Sequence, residues 1–350
     1  MANENHNLHS AKRNKKDEFY TQLVDIEMEL RHYRDHFRGK VVYCNCDDPY
    51  VSAFFEYFAK NFEFLGLKKL ITTCYKSQWV DLFSQNDSEH AIKLEYTGGA
   101  PNNMPTADDI GVTALKGDGD FRSPECIALL QEADIVCTNP PFSLFREYVE
   151  QLAKYDKQFL IIGNKNAITY KETFKLIKDE LLWLGITSPR DFTTPTGELS
   201  GKLAGLTRWF TNLGHAKRRE SLTLWQTYTP EQYPKYDNYD AINADKVADI
   251  PKDYDGAMGV PITFLDKHNP EQFEILGFTS GRDEFEARPT KRYINPIQLN
   301  ADGSQTNGSK ANTRSTILSA ERPLGTCYIA DNVQGYLSIL YARIIIQRRK

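Results

Sequence analysis

The sequence has few cysteines, no long apolar segment and little net charge, and each shortage excludes a class of protein. Six cysteines occur in 350 residues, and the one close pair, Cys44 and Cys46, lacks the second pair that a structural zinc site needs. No apolar run reaches the roughly 18 residues of a membrane-spanning helix. A formal net charge of −4 excludes a uniformly basic nucleic-acid scaffold, so contact with DNA or RNA needs local basic patches.

Other cofactor and metal signatures are also missing. No Gly-Lys-Ser/Thr tripeptide occurs, which argues against a nucleoside triphosphatase. Arg122 stands where a dinucleotide fingerprint starting at Gly117 needs glycine, and where a calcium loop starting at Asp118 needs an acid or amide. The seven histidines are scattered, so we predict no metal site. A small-molecule oxidoreductase is therefore the least favoured function.

Short apolar runs alternate with helical patterns in the first half of the chain. Strands are predicted at residues 41–44, 70–74, 110–115, 134–138 and 159–162, and helices at residues 51–62, 123–132 and 143–154. The polar residues 76–107 are expected to leave the core. The alternation predicts an α/β fold with a doubly wound, mostly parallel sheet. Right-handed connections then place the loops after the strands along one edge, where such sheets bind ligands.

The alternation fades after about residue 184. A pair of strands is predicted at residues 259–265 and 274–278. Residues 279–325 are rich in Gly, Asn, Ser, Thr and Arg, and we expect them to be irregular.

The segment Asn139-Pro140-Pro141-Phe142 directly follows the strand predicted at residues 134–138. Two consecutive prolines remove two backbone donors and fix φ, which makes the loop rigid and extended. The Asn139 amide oxygen and the carbonyl beside the proline ring then offer two acceptors, which suit an amino group with two N–H bonds. Phe142 adds a face on which an aromatic base can stack. A plain turn between a strand and a helix is the alternative for these four residues taken alone.

Two further segments are expected at the same edge of the sheet. Asp47-Asp48-Pro49 ends the first strand and opens a helix, whose N-terminal donors can meet a carboxylate or a polar cofactor group. Asp120-Phe121 offers an acceptor for an adenine amino group and an apolar wall. These residues predict a nucleotide pocket beside the Asn-Pro-Pro-Phe loop.

Several longer runs resemble the EcoRI-type adenine-specific DNA methyltransferases, which use S-adenosylmethionine. The matching runs are Asp17 to Thr21, Val41 to Pro49, Gly117 to Arg122, Asp134 to Phe145, Tyr233 to Asp240 and Gly259 to Leu265. The resemblance covers roughly residues 17–75, 110–184 and 233–278. The order of cofactor motifs, catalytic motif and recognition region resembles the γ arrangement of these enzymes.

The resemblance implies a Rossmann-like methyltransferase core and methyl transfer from S-adenosylmethionine to N6 of an adenine flipped out of duplex DNA. Asn139 and the Pro140 carbonyl would hold N6, Pro141 would complete the rigid loop, and Phe142 would stack on the base. The residues implied for the cofactor are Asp120 and Phe121 around its adenine, and Phe19, Tyr20, Thr21, Asp47, Asp48 and Pro49 around its methionine end.

The implied organisation has three parts. Residues 1–16 carry four basic residues against one acidic residue and are predicted to form a flexible basic arm. Residues 17–184 would form the cofactor-binding catalytic core. Residues 185–350 would form a target-recognition region with the remaining core strands.

Local basic residues are the candidates for contacts with double-stranded DNA. They are Lys15, Lys16, Arg208, Lys217, Arg218, Arg219, Arg288 and Arg292. A solvated charged face is the alternative for each. Trp209, Phe210 and Trp225 are expected in the core rather than as base wedges. Reduced cysteines and a polar N-terminus without a secretory signal predict a cytoplasmic protein. The resemblance implies that it is bacterial or phage-encoded, and we expect a monomer when it is free of DNA.

Two alternatives stay open. The same pocket could serve RNA or a protein amide, since Asn-Pro-Pro-aromatic loops act on those substrates too; duplex DNA would require a groove of its own size after residue 184. A non-catalytic DNA-binding protein on a methyltransferase fold is the second alternative, and the intact Asn139 and Asp120 argue against it.

Overall fold

The computed structural model describes residues 20–75, 91–99, 105–190, 192–193, 199–200, 205–279 and 287–349. The predicted arm of residues 1–16, which includes Lys15 and Lys16, lies outside the described residues, as does Phe19. Tyr20 is described by its backbone alone.

The helices and strands of the described residues are numbered in chain order. The α-helices are α1 (Leu23–Leu30), α2 (Ala53–Lys60), α3 (Phe62–Leu65), α4 (Ala107–Ile110), α5 (Pro124–Glu132), α6 (Phe145–Lys154) and α7 (Lys171–Lys178). The first strands are β1 (Tyr20–Thr21), β2 (Val41–Cys44), β3 (Lys69–Cys74), β4 (Ile92–Tyr96), β5 (Val112–Ala114), β6 (Ile135–Thr138), β7 (Gln158–Asn164), β8 (Trp183–Leu184), β9 (Phe192–Thr193), β10 (Leu199–Ser200) and β11 (Thr207–Thr211). The later strands are β12 (Ile242–Asn243), β13 (Met258–Pro261), β14 (Phe273–Phe278), β15 (Ile297–Leu299), β16 (Gln305–Asn307), β17 (Thr316–Ser319), β18 (Cys327–Ile329), β19 (Tyr336–Ile339) and β20 (Arg343–Arg348). Short 3₁₀ helices span Arg34–His36, Phe142–Leu144, Lys165–Thr169, Ala216–Arg219, Val247–Asp249, Ile262–Lys267 and Ser309–Thr313.

An eight-stranded sheet has the order β5-β4-β3-β2-β6-β7-β11-β8. The four central strands β3, β2, β6 and β7 are parallel neighbours. Only β4 and β11 run antiparallel to their neighbours, so six of the eight strands point the same way. The predicted mixed α/β architecture with a large, mostly parallel sheet is confirmed.

The prediction that residues 76–107 leave the core is wrong for part of this segment. β4 pairs with β3 inside the central sheet. Ile92, Leu94 and Tyr96 alternate with polar residues along β4 and are buried, because strand side chains point to opposite faces in turn.

The central strands are apolar because helices and loops cover them. Every residue of β2 and β6 is buried.

Local capping residues set where the helices begin. The Ser52 hydroxyl accepts hydrogen bonds from the amides of Phe54 and Phe55 and so begins α2, and Ser123 caps α5 in the same way. Trp209 packs edge-on against Phe54 with ring centroids 6.0 Å apart.

The expectation for the large aromatic residues is confirmed for two of them. Trp209 and Phe210 are fully buried. Trp225 is 73% exposed, so its assignment to the core was wrong. It lies in an irregular segment, where no strand or helix turns its indole toward the interior.

A buried carboxylate ties α1 to a distant part of the chain. Glu29 accepts hydrogen bonds from the Ile186 amide at 2.8 Å, from the Thr187 amide at 2.6 Å and from the Tyr33 hydroxyl at 2.8 Å. Gly185 permits this approach, because a side chain there would overlap the Glu29 carboxylate.

The described residues group into two compact units. The first unit extends to Phe174 and resumes from Leu181 to His215; the second comprises Lys175–Glu180 and the residues from Ala216 onward. The second unit holds a four-stranded sheet, β12-β13-β20-β14, and a five-stranded sheet, β16-β15-β18-β19-β17. The functional boundary after residue 184 stays a prediction. None of the described helices is both long and apolar enough to span a membrane.

Two predictions for the second unit need correction. The strand predicted at residues 259–265 ends at Pro261, and Ile262–Lys267 form a 3₁₀ helix instead. Residues 279–325 include β15, β16 and β17, which join the five-stranded sheet instead of forming an irregular region. These strands have only three or four residues, too few for a clear alternation of polar and apolar positions.

Candidate active site

The predicted loops meet at one edge of the central sheet. The carboxyl ends of β2, β3, β6 and β7 lie side by side there, because these strands are parallel neighbours. Asp47 follows β2, and Asn139 follows β6. The antiparallel β11 begins at the same edge, since Thr207 pairs with Asn164 at the end of β7.

The Asp47 side chain is buried and fully engaged within the protein. Ser52 donates a hydrogen bond to one carboxylate oxygen at 2.7 Å, and the Thr138 hydroxyl donates to the other. The Asp47 amide donates to the Thr73 carbonyl at 3.0 Å. Burial raises the pKa of Asp47 to about 6, although the hydrogen bonds from Thr138 and Ser52 act in the opposite direction. Asp47 therefore connects three of the parallel strands at this edge.

Asp48 and Pro49 shape the turn between β2 and α2. The Asp48 carboxylate accepts a hydrogen bond from the Tyr50 amide at 2.9 Å, and its carbonyl accepts from the Ser52 amide at 2.8 Å. Burial raises the pKa of Asp48, opposed by the Tyr50 amide. Pro49 is buried. The turn is thus pre-formed by local hydrogen bonds.

The Asn139-Pro140-Pro141-Phe142 loop lies between β6 and a single 3₁₀ turn that leads into α6. The Oδ1 atom of Asn139 is shielded from solvent, and Pro140 is buried. The Pro141 carbonyl accepts a hydrogen bond from the Leu144 amide at 3.0 Å. Phe142 is half-buried and packs against the main hydrophobic core.

Packing behind this loop is close. Gly163 of β7 lies against the ring of Phe145, the first residue of α6, and a Cβ atom at position 163 would overlap that ring. Phe145 also packs against Phe210, with ring centroids 5.0 Å apart. The small residue in β7 thereby sets how near the start of α6 comes to the sheet.

The loop that carries Asp120 and Phe121 also lies at this edge. Gly119 has a positive φ of 78° and packs closely against the Cys74 carbonyl at the end of β3. A Cβ atom at position 119 would overlap that carbonyl. Phe121 is buried and packs edge-on against Tyr148 of α6, with ring centroids 5.0 Å apart. The Tyr148 hydroxyl donates to Asn45 after β2.

Asp120 is paired with Arg122. The Arg122 guanidinium donates to both Asp120 oxygens at 2.9 and 2.7 Å, and it reaches Glu147 of α6 at 2.6 Å. Partial burial opposes ionisation of Asp120, but the hydrogen bonds from Arg122 outweigh it and lower the pKa of Asp120. An ionised carboxylate keeps acceptor positions beyond those that Arg122 uses.

Thr21 lies in a different sheet from the other predicted cofactor residues. β1 pairs with β9 in a three-stranded sheet that also contains β10. The Thr21 hydroxyl is buried and makes no hydrogen bond among the described residues. A ligand could supply the partner that this buried oxygen needs.

These residues fit S-adenosylmethionine, the cofactor that the resemblance implies. The aromatic wall at Phe121 and the ionised acceptor at Asp120 suit its adenine, and the polar turn after β2 suits its charged end. The thiols beside this turn do not offer nucleophiles, because burial raises the pKa of Cys44, Cys46 and Cys137. No group of three or more metal-ligating side chains occurs among the described residues.

The basic candidates lie in both units. Arg208 of β11 pairs with Gly163 at the candidate edge, is half-buried, and donates a hydrogen bond to the Thr207 carbonyl at 2.8 Å. In the second unit, burial lowers the pKa of Arg218, opposed by Glu180, and Lys217 is half-buried. The exposed candidates in that unit are Arg219, Arg288 and Arg292.

Several residues that organise the site were not predicted from the sequence. They are Asn45, Ser52, Thr138, Glu147 and Tyr148. Each acts through a hydrogen bond to a residue on another element or turn, and neither composition nor spacing reports such pairs. For Ser52 the helix-capping pattern was a usable signal, because serine directly before an apolar helix is a preferred N-cap.

Known proteins with similar sequences identify the family of this chain. The model of the family described as adenine-specific methyltransferase EcoRI matches residues 7–349. The chain is 53% identical to the type II methyltransferase M.EcoRI of Escherichia coli over 79% of its length and 90% of that protein. It is 39% identical to M.MpnI of Mycoplasma pneumoniae and 38% identical to M.MgeORF184P of Mycoplasma genitalium, over 77% of this chain and 85% and 86% of those proteins. No solved structure matches the chain. The chain therefore belongs to the EcoRI family of adenine-specific methyltransferases.

Proposed function

We propose that this enzyme, a site-specific DNA adenine methyltransferase by its family, binds S-adenosylmethionine at the carboxyl edge of the central sheet and methylates N6 of an adenine flipped out of duplex DNA. One observation carries the proposal. The Asn-Pro-Pro-Phe loop after β6 lies beside the polar turn after β2, and the hydrogen bond between Thr138 and Asp47 joins them.

The Asn-Pro-Pro-Phe loop would hold the target base. A paired adenine cannot present N6 to a methyl donor, so the base must leave the helix. The Asn139 amide oxygen and the Pro140 carbonyl would accept the two N–H bonds of N6. The Phe142 ring would stack on the base, with Pro141 keeping the loop rigid.

Residues on both sides of this loop would hold the cofactor. Asp120 would accept a hydrogen bond from its adenine amino group, and Phe121 would form the apolar wall. Asp48, Pro49 and the backbone beside Asp47 would face its methionine end, together with Phe19, Tyr20 and Thr21. When bound, S-adenosylmethionine supplies a methyl group already activated by the sulfonium charge.

The protein's own contribution would be positioning and charge stabilisation. Positive charge develops on N6 as it takes up the methyl group, and two acceptor oxygens aimed at that nitrogen stabilise it. Because the donor is already activated, the residues need form no covalent intermediate. This agrees with the buried, high-pKa thiols beside the turn.

The second unit would provide most of the target recognition. Its exposed arginines Arg219, Arg288 and Arg292 are available to DNA phosphates or bases, whereas Arg208 would act beside the flipped base. A doubly wound core with helices on both faces, a monomer when free, and action on DNA in the bacterial cytoplasm complete the proposal.

The substitution Asn139→Ala tests the proposal. We expect it to reduce DNA methylation at least 100-fold, because one acceptor for N6 is lost, while S-adenosylmethionine binding stays within about threefold. The measurements are sequencing of N6-methyladenine after expression in a methylation-free host, and calorimetry with the cofactor. Methylated adenines should be confined to one short motif.

Asn212→Ala is the matched control. Asn212 is half-buried, and its side chain bonds backbone groups at the amino end of β7, the opposite edge of the sheet. Its loss should lower thermal stability without removing activity. Near-normal methylation by Asn139→Ala, or no methylated adenine with the wild-type enzyme, would refute the proposed function.

A further inference from the structure

The buried Asp47 carboxylate has an arrangement that differs from that of a cofactor ligand. Both of its oxygens accept hydrogen bonds from within the protein, one from Ser52 and one from Thr138. Its side chain is 7% exposed. A carboxylate used in this way holds other protein groups in place and is not directed at a ligand.

Thr138 connects this carboxylate to Asn139. It is the last residue of β6, it is fully buried, and its carbonyl carbon is bonded to the nitrogen of Asn139. A hydrogen bond that fixes the Thr138 side chain therefore restricts the backbone from which the Asn139 side chain starts. The two hydrogen-bonded residues are 91 positions apart in the chain.

The other contacts of Asp47 fix it to the cofactor side. The Ser52 hydroxyl donates to Asp47, and its oxygen accepts hydrogen bonds from the Phe54 and Phe55 amides of α2. The Asp47 amide donates to the Thr73 carbonyl of β3. The carboxylate is thus anchored at the turn after β2 independently of Thr138.

We propose that Asp47 is a positioning residue that, through Thr138, sets the distance between the base-holding Asn139 loop and the cofactor turn. This inference rests on the proposed function and deepens it. In a transfer between two bound molecules, small errors in their separation reduce the rate far more than they reduce binding. The role predicted for Asp47 from the sequence, direct contact with the cofactor's methionine end, then passes to its backbone and to Asp48.

Substitution of Thr138 tests the inference without altering a charged group. Thr138→Val keeps the shape and removes the hydroxyl, and Thr138→Ser keeps the hydroxyl and removes a methyl group. We expect Thr138→Val to lower kcat about 10- to 100-fold while Kd for S-adenosylmethionine stays within about threefold, because Ser52 and Thr73 still hold the turn. Thr138→Ser should recover most of kcat.

Thr211→Val is the control for the loss of a buried hydroxyl. Thr211 is fully buried in the same sheet, and its hydroxyl donates to the Phe159 carbonyl near the amino end of β7. It should lower Tm by a few degrees, as Thr138→Val does, with kcat within about threefold of wild type.

The readouts are steady-state methylation for kcat, calorimetry with S-adenosylmethionine, and thermal unfolding. Loss of kcat in Thr138→Val alone, restored in Thr138→Ser, supports the inference. Equal kcat in Thr138→Val and Thr211→Val overturns it, as does a serine variant no better than the valine variant. Both results leave the proposed function intact if the wild-type enzyme methylates adenine and Asn139→Ala does not.

Discussion

Two carboxylates of the candidate site have pKa values shifted in opposite directions. Burial raises the pKa of Asp47 to about 6, whereas the hydrogen bonds from Arg122 outweigh partial burial and lower the pKa of Asp120. The first carboxylate supports the backbone of the site, and the second stays charged and available as an acceptor. Residues of one type thus have different tasks because their surroundings differ.

Substitution of Asp47 should change how stability depends on pH. A folded-state pKa near 6 against 3.8 means that ionised Asp47 destabilises the folded protein above pH 6, and that this penalty disappears as the pH falls toward 4. The free energy of unfolding of Asp47→Asn, relative to that of wild type, should therefore rise by about 3 kcal/mol between pH 4 and pH 7.5. Urea unfolding across this range measures the difference.

Asp120→Asn should change the pH dependence of stability in the opposite direction. The lowered pKa of Asp120 stabilises the folded state above the unfolded-state pKa, so its loss should lower the free energy of unfolding at neutral pH, and this effect should shrink as the pH falls below that pKa. For Asp47, the contradicting result is a difference in unfolding free energy between wild type and Asp47→Asn that does not change with pH. Such a result would contradict the assignment of a buried, ionising carboxylate.

Residues next to each other in the chain were predictable, and residues paired across the fold were not. The Asn139–Phe142 loop, the Asp47–Pro49 turn and Asp120–Phe121 all lie at the predicted edge, because each is a contiguous segment after a recognisable strand or beside one. Asn45 meets Tyr148 across 103 positions, and nothing in either local segment indicates that contact.

At the scale of elements, the approach of α6 to β7 depends on Gly163. Its missing side chain leaves room for the Phe145 ring at the start of α6, directly after the Asn-Pro-Pro-Phe loop and its 3₁₀ turn. The position of the Asn-Pro-Pro-Phe loop is therefore coupled to a glycine on the neighbouring strand.

Gly163→Ala should move the start of α6 away from the sheet. We expect destabilisation of about 1–3 kcal/mol from overpacking and a fall in kcat of about tenfold or more. Denaturant unfolding and single-turnover methylation measure the two effects. The double substitution Gly163→Ala with Phe145→Leu should recover part of both, since the smaller side chain makes room.

Gly214→Ala serves as the control, because a Cβ atom there meets no neighbour within 4 Å. If Gly163→Ala were as mild as Gly214→Ala, the coupling would be absent.

Elements such as α5 were predictable from Ser123 and Pro124, whereas β4 was not: its alternation is only five residues long, and the surrounding segment is polar.

At the scale of the whole molecule, a net charge of −4 conceals basic residues of two kinds. Arg218 is partly buried and interacts electrostatically with Glu180, which indicates a structural task. Arg292 is exposed, and its backbone carbonyl accepts a hydrogen bond from Asn332. Sequence alone could not separate these kinds, since both are arginines in polar segments.

Arg292→Ala should weaken DNA binding in a salt-dependent manner. Loss of one phosphate contact lowers the slope of log K against log salt concentration by about 0.9. Fluorescence anisotropy with duplex DNA at several salt concentrations measures this slope. Arg218→Ala should instead lower Tm and leave the slope unchanged, and an unaltered slope in Arg292→Ala would remove that residue from the interface.

The buried carboxylate of Glu29 has a consequence for synthesis of the chain. Its amide donors lie 157 and 158 positions later, so during translation α1 emerges long before the residues that satisfy it. At about 5–20 residues per second, this interval lasts roughly 8–30 s. The first unit therefore cannot complete the buried hydrogen bonds of Glu29 until Ile186 and Thr187 have left the ribosome.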